Sequence, residues 1–181
     1  MKRHYEVVAV SIFVFFIVLA HCLSTNGYDW MRNTISDLGA QGYGRKAIMQ
    51  IGFLAFGICL TVGIIANGFS WSSTPIFIYG LCVGLTGIFC TKPFFDYRHY
   101  SEMQAALHAA LAQIAGVAFT LGIILQLWFT HSTKDKLIHI FFLAAVVILS
   151  ASFGLSKNYQ GIFQRLLYLT SFIWLVRFFR P

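Results

Sequence analysis

The sequence has few charged residues. Only 10% of its 181 residues are charged, whereas nearly a quarter are charged in a typical soluble domain. Hydrophobic residues make up 58% of the chain, and its mean hydropathy is +0.73. So few charges cannot cover the surface of a folded chain with polar groups. The composition therefore excludes a soluble globular protein and predicts an integral membrane protein with the lipid bilayer as its surroundings.

A clustered basic patch is also missing, although the formal net charge is +7. The lysines and arginines instead flank the apolar runs, where their side chains reach lipid headgroups and anchor helix ends. A nucleic-acid surface needs clustered basic residues or a recognised motif. We therefore expect no nucleic-acid partner.

The four cysteines lack the CxxC spacing of redox motifs and zinc ribbons. We expect no intramolecular disulfide bond.

Residues 1–22 have the basic start and apolar core of a secretory signal but are not followed by a small-residue cleavage site. They are interpreted as a retained signal-anchor helix.

Six apolar stretches approach the length of about 20 residues that a membrane-spanning helix needs. They cover residues 5–24, 47–69, 75–95, 103–130, 137–156 and 162–179. The predicted fold is all-α: a bundle of six transmembrane helices forming one domain over residues 1–181, with no soluble domain. Gly80, Gly84 and Gly87 form a stripe that predicts close approach of a neighbouring helix.

Basic residues are evenly divided between the two sides of the membrane, so their distribution does not indicate an orientation. Cytoplasmic termini at the cell membrane are expected only because Lys2 and Arg3 precede the first helix.

Most polar side chains other than lysine and arginine collect on the side opposite the termini. His108 lies about 8 Å inside that side, at 1.5 Å per helical residue, and Arg165 lies at a similar depth. An ionisable residue within a span indicates a functional site and needs a partner. Asp37 in the first loop and Asp96 at the predicted end of the third helix are at matching depth. We expect these four residues to converge, with at least two polar contacts among them within about 3.5 Å or through one water.

Each of these residues also has a structural interpretation. Asp37 is a candidate helix N-cap, as is Ser36, since "ISDL" resembles the start of a short helix. Arg165 could anchor the sixth helix or pair with Asp96. His108 could be a buried histidine whose ring is hydrogen-bonded.

Metal and haem sites are alternatives with less support. Asp37, Asp96, His99 and His108 carry ligand types that suit a divalent ion, but no HxxxH or HExxH spacing accompanies them. Two histidines could hold haem, yet His21 and His108 are a single pair without a supporting pattern. No metal or cofactor is therefore expected.

Four motifs resemble those of the membrane proteins grouped as "domain of unknown function 998". They are "TISDLGA" after the first helix, "KPFFD" at the end of the third, "LHAALA" at the start of the fourth and "GIFQRLLYLTSFIWL" at the opening of the last. The resemblance covers nearly the whole chain. It marks Ser36, Asp37, Gly39, Asp96, His108, Gln164 and Arg165. One departure is that Pro93 precedes the aspartate by three residues, whereas Phe-Pro usually precedes it directly. A weaker similarity links the S-D-x-G element to Frag1/DRAM/Sfk1-type membrane proteins.

The leading hypothesis is a protein that binds or processes a lipid or other amphipathic headgroup. His108 would act as a general base oriented by Asp96 or Asp37. The headgroup would be bound by Arg165, Ser36, Asn33 and Gln164. One alternative is a structural or partner-binding membrane subunit, in which the polar cluster holds helices together. Another is a small proton-coupled transporter, although the polar residues at mid-membrane are few and no repeat is evident. The sequence does not determine whether the protein is an enzyme or what its oligomeric state is.

Overall fold

The computed structural model describes residues 4–25 and 27–180. Over these residues the chain forms six α-helices and three short 3-10 turns, without a β-strand. The helices are α1 (Tyr5–Cys22), α2 (Lys46–Ala66), α3 (Thr74–Leu85), α4 (Glu102–Phe129), α5 (Thr133–Leu155) and α6 (Gln160–Arg177). The predicted all-α class and the order of six helices are confirmed. Lys2 and Arg3, the basis for expecting cytoplasmic termini, lie outside the described residues, so that orientation stays a prediction.

Four of the six described helices, α1, α2, α4 and α5, are long and apolar enough to cross a membrane. The other two differ for separate reasons. The helix α6 has 18 residues but carries Gln160, Gln164 and Arg165 in its first two turns. The helix α3 has 12 residues, which gives it a length of about 18 Å at 1.5 Å per residue. A bilayer's hydrocarbon core is about 30 Å thick, so α3 alone does not reach across it.

The helix α3 is shorter than the sequence predicted. It ends at Leu85 rather than near residue 95, and residues 86–101 contain only turns, bends and backbone without regular structure. Apolar side chains continue past the helix end, which is why hydropathy predicted a longer span. The carbonyl oxygens of residues 87, 89 and 90 instead bond to side chains from three other elements, Gln50, His108 and Gln41. These bonds replace the intrahelical bonds of the lost turns.

Glycines hold α2 and α3 close together. A Cβ atom built on Gly84 would lie 3.2 Å from the Cα of Gly57, and one on Gly80 would lie 3.1 Å from the side chain of Leu60. A Cβ on Gly87 would lie 2.6 Å from a backbone oxygen of α2. The glycine stripe therefore allows the close approach that the sequence predicted.

The helices form a closed ring in which consecutive helices pack together and α6 packs against α1. An aromatic cluster fills the contact between the first and last helices, with the ring of Phe13 5.3 Å from that of Tyr168 and 5.7 Å from that of Phe172. We call one end of the ring the terminal end: it holds the start of α1, residues 67–73, residues 130–132 and the end of α6. The loop end, opposite, holds residues 23–45, 86–101 and 156–159.

Candidate functional site

The first loop folds back over the start of α6. The backbone N–H groups of Gly161 and Ile162 donate to the carbonyl oxygens of Arg32 and Met31, both at 3.2 Å. N–H groups in the first turn of a helix have no partner within the helix. The loop supplies those partners and is thereby attached to α6. Gly161 is needed at this contact because a Cβ atom there would collide with three loop carbonyl oxygens.

Arg165 binds the loop from one turn further along α6. Its guanidinium donates to the carbonyl oxygen of Asn33 at 3.1 Å, to that of Gly161 at 2.7 Å and to the hydroxyl of Tyr28 at 2.6 Å. The side chain is half-buried. All three acceptors are neutral, and within residues 4–25 and 27–180 no carboxylate, Asp96 included, forms an ion pair with Arg165. Its contacts clamp the loop against α6.

Gln164 makes a second attachment beside the arginine. Its Oε1 accepts a hydrogen bond from the backbone N–H of Ile35 at 2.5 Å, and its Nε2 donates to the hydroxyl of Ser36 at 3.4 Å. The Asn33 side chain points back into the loop, where its Oδ1 accepts from the N–H of Asp29 at 2.8 Å. Thus the four residues predicted to bind a headgroup, including Arg165, do lie together. Their polar groups bond mainly to the protein itself.

Asp37 closes a reciprocal capping box with Thr34. Its Oδ2 accepts from the N–H of Thr34 at 2.7 Å, and its own N–H donates to the hydroxyl of Thr34 at 3.1 Å. This pair opens the 3-10 turn Ser36–Gly39. Asp37 therefore supports the start of this turn from within it, but neither it nor Ser36 is the N-cap that the sequence suggested, because that position is held by Ile35, whose side chain makes no cap bond.

Burial raises the pKa of the Asp37 carboxyl above its ordinary value, although the hydrogen bonds from Thr34 and Asn33 and the charge of His108 oppose the rise. The folded protein therefore holds this proton more tightly than the unfolded chain does. The stability that the group contributes is complete below the unfolded pKa, about 3.9, and is lost as the pH rises through the folded pKa. Relative to Asp37→Asn, the natural protein should lose stability as the pH rises above the unfolded pKa of about 3.9.

This pH dependence is measured as the unfolding temperature of both proteins in detergent at several pH values. Asp135→Asn, at the exposed start of α5, is the matched carboxylate control. A difference between Asp37→Asn and the natural protein that stays constant with pH, or that shrinks as the pH rises, contradicts the expectation.

His108 serves the irregular segment after α3. It is only 5% exposed, and its Nδ1 lies 2.7 Å from the carbonyl oxygen of Phe89. Because a carbonyl only accepts, Nδ1 carries the proton. The ring also packs edge-on to Phe53, with the two ring centres 6.4 Å apart. This is the geometry of a buried histidine with a satisfied hydrogen bond.

Asp96 does not join the others. The sequence predicted that it ends the third helix, but that prediction is wrong: α3 ends at Leu85 and Asp96 lies in an exposed bend. All four predicted residues are among those described, and no hydrogen bond or ion pair joins any two of them. The expected pair of direct contacts among Asp37, Asp96, His108 and Arg165 is therefore not found. The catalytic roles suggested for His108, Asp37 and Asp96 stay predictions.

Sequence reasoning missed two residues that organise the loop end. Tyr28 donates its hydroxyl proton to the carbonyl oxygen of Thr34 at 2.9 Å while accepting from Arg165. Burial raises the pKa of this phenol to about 12, and Arg165 opposes the rise. Gln41 binds both sides of the residue 86–101 segment, donating to Cys90 O and Ser101 O and accepting from Ser101 N at 2.7 Å. Neither residue has a local sequence signal, because the bond from Arg165 to Tyr28 and all the bonds of Gln41 join residues distant in the chain.

Metal-binding side chains are dispersed. Over residues 4–25 and 27–180, no three His, Cys, Asp or Glu side chains come together in a way that could hold an ion. The four cysteines are free thiols, two of them buried. The polar groups that do gather at the loop end are backbone carbonyls, hydroxyls and amides, and they are already hydrogen-bonded to each other.

The comparisons with known proteins bear on the identity of this fold. The profile of the family described as "Protein of unknown function (DUF998)" matches residues 7–180. The chain belongs to this family. The match runs from α1 to the end of α6 and includes the loop-end clamp and the broken third helix. Neither a curated protein nor a solved structure gives a significant match. The weaker resemblance to Frag1/DRAM/Sfk1-type proteins gains no support from these findings.

Proposed function

We propose that the protein is a multi-pass membrane subunit that presents a rigid surface at its loop end to a protein partner. Four long apolar helices and membership of the family support a place in the membrane. The observation that carries the proposal is that the polar side chains at the loop end bond to the protein's own backbone. Arg165, Gln164 and His108 all bond to backbone atoms of the loop or of the segment after α3.

Such bonds fix irregular backbone in one conformation. The first loop is held by two backbone bonds to α6, by Arg165 and by Gln164, while Gln41 joins it to the segment before α4. A loop of this length without regular structure is uncommon and is usually functional or disordered. Here the bonds to α6 and to the segment before α4 make it ordered. A pre-organised surface binds a partner with little further loss of conformational entropy.

The outer surface of the loop end has the composition of a protein interface. Trp30 is 53% exposed, and Met31, Tyr97 and Tyr100 are exposed beside it in the chain or in the neighbouring segment. Tryptophan, tyrosine, methionine and arginine are enriched in such interfaces. At the loop end and the first residue of α4, the exposed charged residues are five basic and three acidic: Arg32, Arg45, Lys92, Arg98 and Lys157 against Asp29, Asp96 and Glu102. We therefore infer a partner with an acidic surface.

Photo-crosslinking in native membranes tests this function. A benzophenone amino acid in place of Trp30 should give one discrete protein adduct. The same residue in place of Trp128, which is 80% exposed near the opposite end of the ring, is the matched control and should not give that adduct. Adding Arg165→Gln should abolish the adduct at equal amounts of protein in the membrane, because the loop is then no longer clamped. Equal adducts from positions 30 and 128, or an adduct insensitive to Arg165→Gln, would refute the proposal.

Lipid-headgroup binding at the same end is the second candidate. It is favoured by the cationic Arg165 and the partly exposed carboxyl of Asp37 within one loop-end cluster. In that case the probe at position 30 should label lipid and give no protein adduct. The observation that weighs against this function is that the guanidinium already has three acceptors in the protein.

A further inference from the structure

A cavity opens at the terminal end, on the opposite side of the ring from the clamp. Its volume is about 440 Å³, and it is lined by residues 70–72, residues 129–130, Gln126 and Arg180. These residues come from three places: the start of the helical segment Trp71–Leu85, the end of α4 and the stretch after α6. None of them takes part in the loop-end contacts.

Arg180 gives the cavity a positive charge. One of its N–H bonds goes to the carbonyl oxygen of Phe179 at 3.2 Å. Within residues 4–25 and 27–180 its other N–H bonds have no acceptor. A guanidinium with free N–H groups is suited to bind two oxygens of one phosphate at once.

Backbone donors lie on the facing wall. The segment Trp71–Leu85 begins at the cavity, and the N–H groups of Trp71 and Ser72 have no hydrogen-bond acceptor among the described residues. Ser70 caps the segment by accepting from the N–H of Ser73 at 3.2 Å. The first N–H groups of a helix carry partial positive charge and favour an anion. The guanidinium and this helix start therefore favour the same kind of ligand from two sides.

Gln126 adds a different requirement. It is only 6% exposed, and its Nε2 donates to the carbonyl oxygen of Arg180 at 2.7 Å, which holds the arginine backbone over the cavity. Its Oε1 accepts no hydrogen bond from a described residue. The buried side-chain polar atoms without a partner, over the described residues, are the hydroxyls of Tyr5 and Tyr79, so this amide oxygen is accessible from outside the protein and free to accept from a donor there. A ligand that carries a hydroxyl or ammonium group next to its anionic group would supply one.

The apolar walls of the cavity favour a lipid over a free anion as its ligand. Trp71 is 88% exposed and Phe129 is 58% exposed. Exposed aromatic side chains at the ends of apolar helices are typical of the membrane–water interface. A free phosphate ion would not need these apolar walls, whereas the glycerol and upper acyl region of a lipid would contact them.

We propose that this cavity binds the headgroup of a phospholipid, with the phosphate on Arg180 and the free N–H groups of residues 71 and 72. A hydroxyl or ammonium group of the headgroup donates to Gln126 Oε1. Phosphatidylglycerol meets both requirements. Phosphatidylcholine has the phosphate but no hydrogen-bond donor, so it should bind less tightly.

Native mass spectrometry of the full-length protein in detergent tests the site. Titration with dioleoyl-phosphatidylglycerol should show one saturable lipid, bound more tightly than dioleoyl-phosphatidylcholine. Arg180→Gln should weaken the phosphatidylglycerol complex about tenfold, the usual effect of losing a charge-assisted hydrogen bond. Arg177→Gln is the matched control, because Arg177 is an exposed arginine at the same end that does not line the cavity. It should change the affinity by less than about twofold.

A parallel titration with inorganic phosphate separates the two sources of the anion. Phosphate that displaces the lipid and depends on Arg180 would support the site and assign a free anion to it. Equal binding of the two lipids would overturn the proposal, as would equal losses in Arg180→Gln and Arg177→Gln. Either failure would leave the loop-end proposal unaffected, because the two sites share no residue.

Discussion

Arg165→Ala should release the first loop from α6 and lower the free energy of unfolding by about 3 kcal/mol. The substitution removes three hydrogen bonds of a half-buried guanidinium at once. Hydrogen bonds to charged groups contribute about 1.5–3 kcal/mol each and do not add fully. It also leaves the carbonyl of Asn33 and the hydroxyl of Tyr28 with fewer partners.

Trypsin gives a direct measure of this release, because Arg32, Arg45 and Lys46 lie in the loop or at its end. In the natural protein the loop should resist cleavage at Arg32, since the carbonyl oxygen of Arg32 is bonded to Gly161. In Arg165→Ala it should be cut readily at the same temperature. Arg177→Ala, which removes an exposed arginine at the other end of α6, should leave both cleavage and unfolding temperature unchanged. Equal protection of the loop in all three proteins would show that Arg165 does not hold it.

Gly57→Ala should be the most damaging single methyl addition between helices. A Cβ atom at residue 57 would lie 2.6 Å from the carbonyl oxygen of Gly80 and 2.7 Å from the backbone N of Gly84. Backbone atoms of two packed helices cannot move away as a flexible side chain can, so α2 and α3 must separate. Overpacking of this kind costs about 3 kcal/mol.

Gly116→Ala is the control for this substitution. The site lies within α4, and a Cβ atom there meets nothing within 4 Å. Replacing glycine by alanine in an open helical position gains up to about 1 kcal/mol from helix propensity. Thermal unfolding in detergent should therefore show a large loss for Gly57→Ala and no loss for Gly116→Ala. Similar unfolding temperatures for the two variants would contradict the close packing of α2 on α3.

Much of the fold was predictable from the sequence because hydropathy reports directly on helices that need an apolar environment. The six helices start within about four residues of the predicted positions. The end of α3 was not predictable in this way. Apolar side chains continue beyond the helix as far as Phe95, and the bonds that replace the helix come from Gln50, Gln41 and His108, which are distant in the chain. Hydropathy contains no information about such partners.

The candidate site was predicted in part for the same reason. Asn33, Ser36, Gln164 and Arg165 were expected at one level and do lie in one cluster, since α1 and α6 have nearly the predicted lengths. Asp96 was placed by counting along a helix that in fact ends 11 residues before it. The depth argument fails wherever a helix is broken. It also gives no indication of whether a polar side chain faces a ligand or a backbone carbonyl.

The broken third helix has a consequence for how the chain is made. In a membrane, α1, α2, α4 and α5 have the length and apolarity to insert one at a time as they are synthesised. The 12-residue α3 cannot do so alone, and the segment after it exposes carbonyl oxygens that hydrocarbon cannot satisfy. One of its hydrogen-bond donors, His108, lies further along the chain and is synthesised later. We therefore expect residues 74–101 to be kept away from hydrocarbon until α4 has been made, so that this segment takes its final place only as the ring assembles.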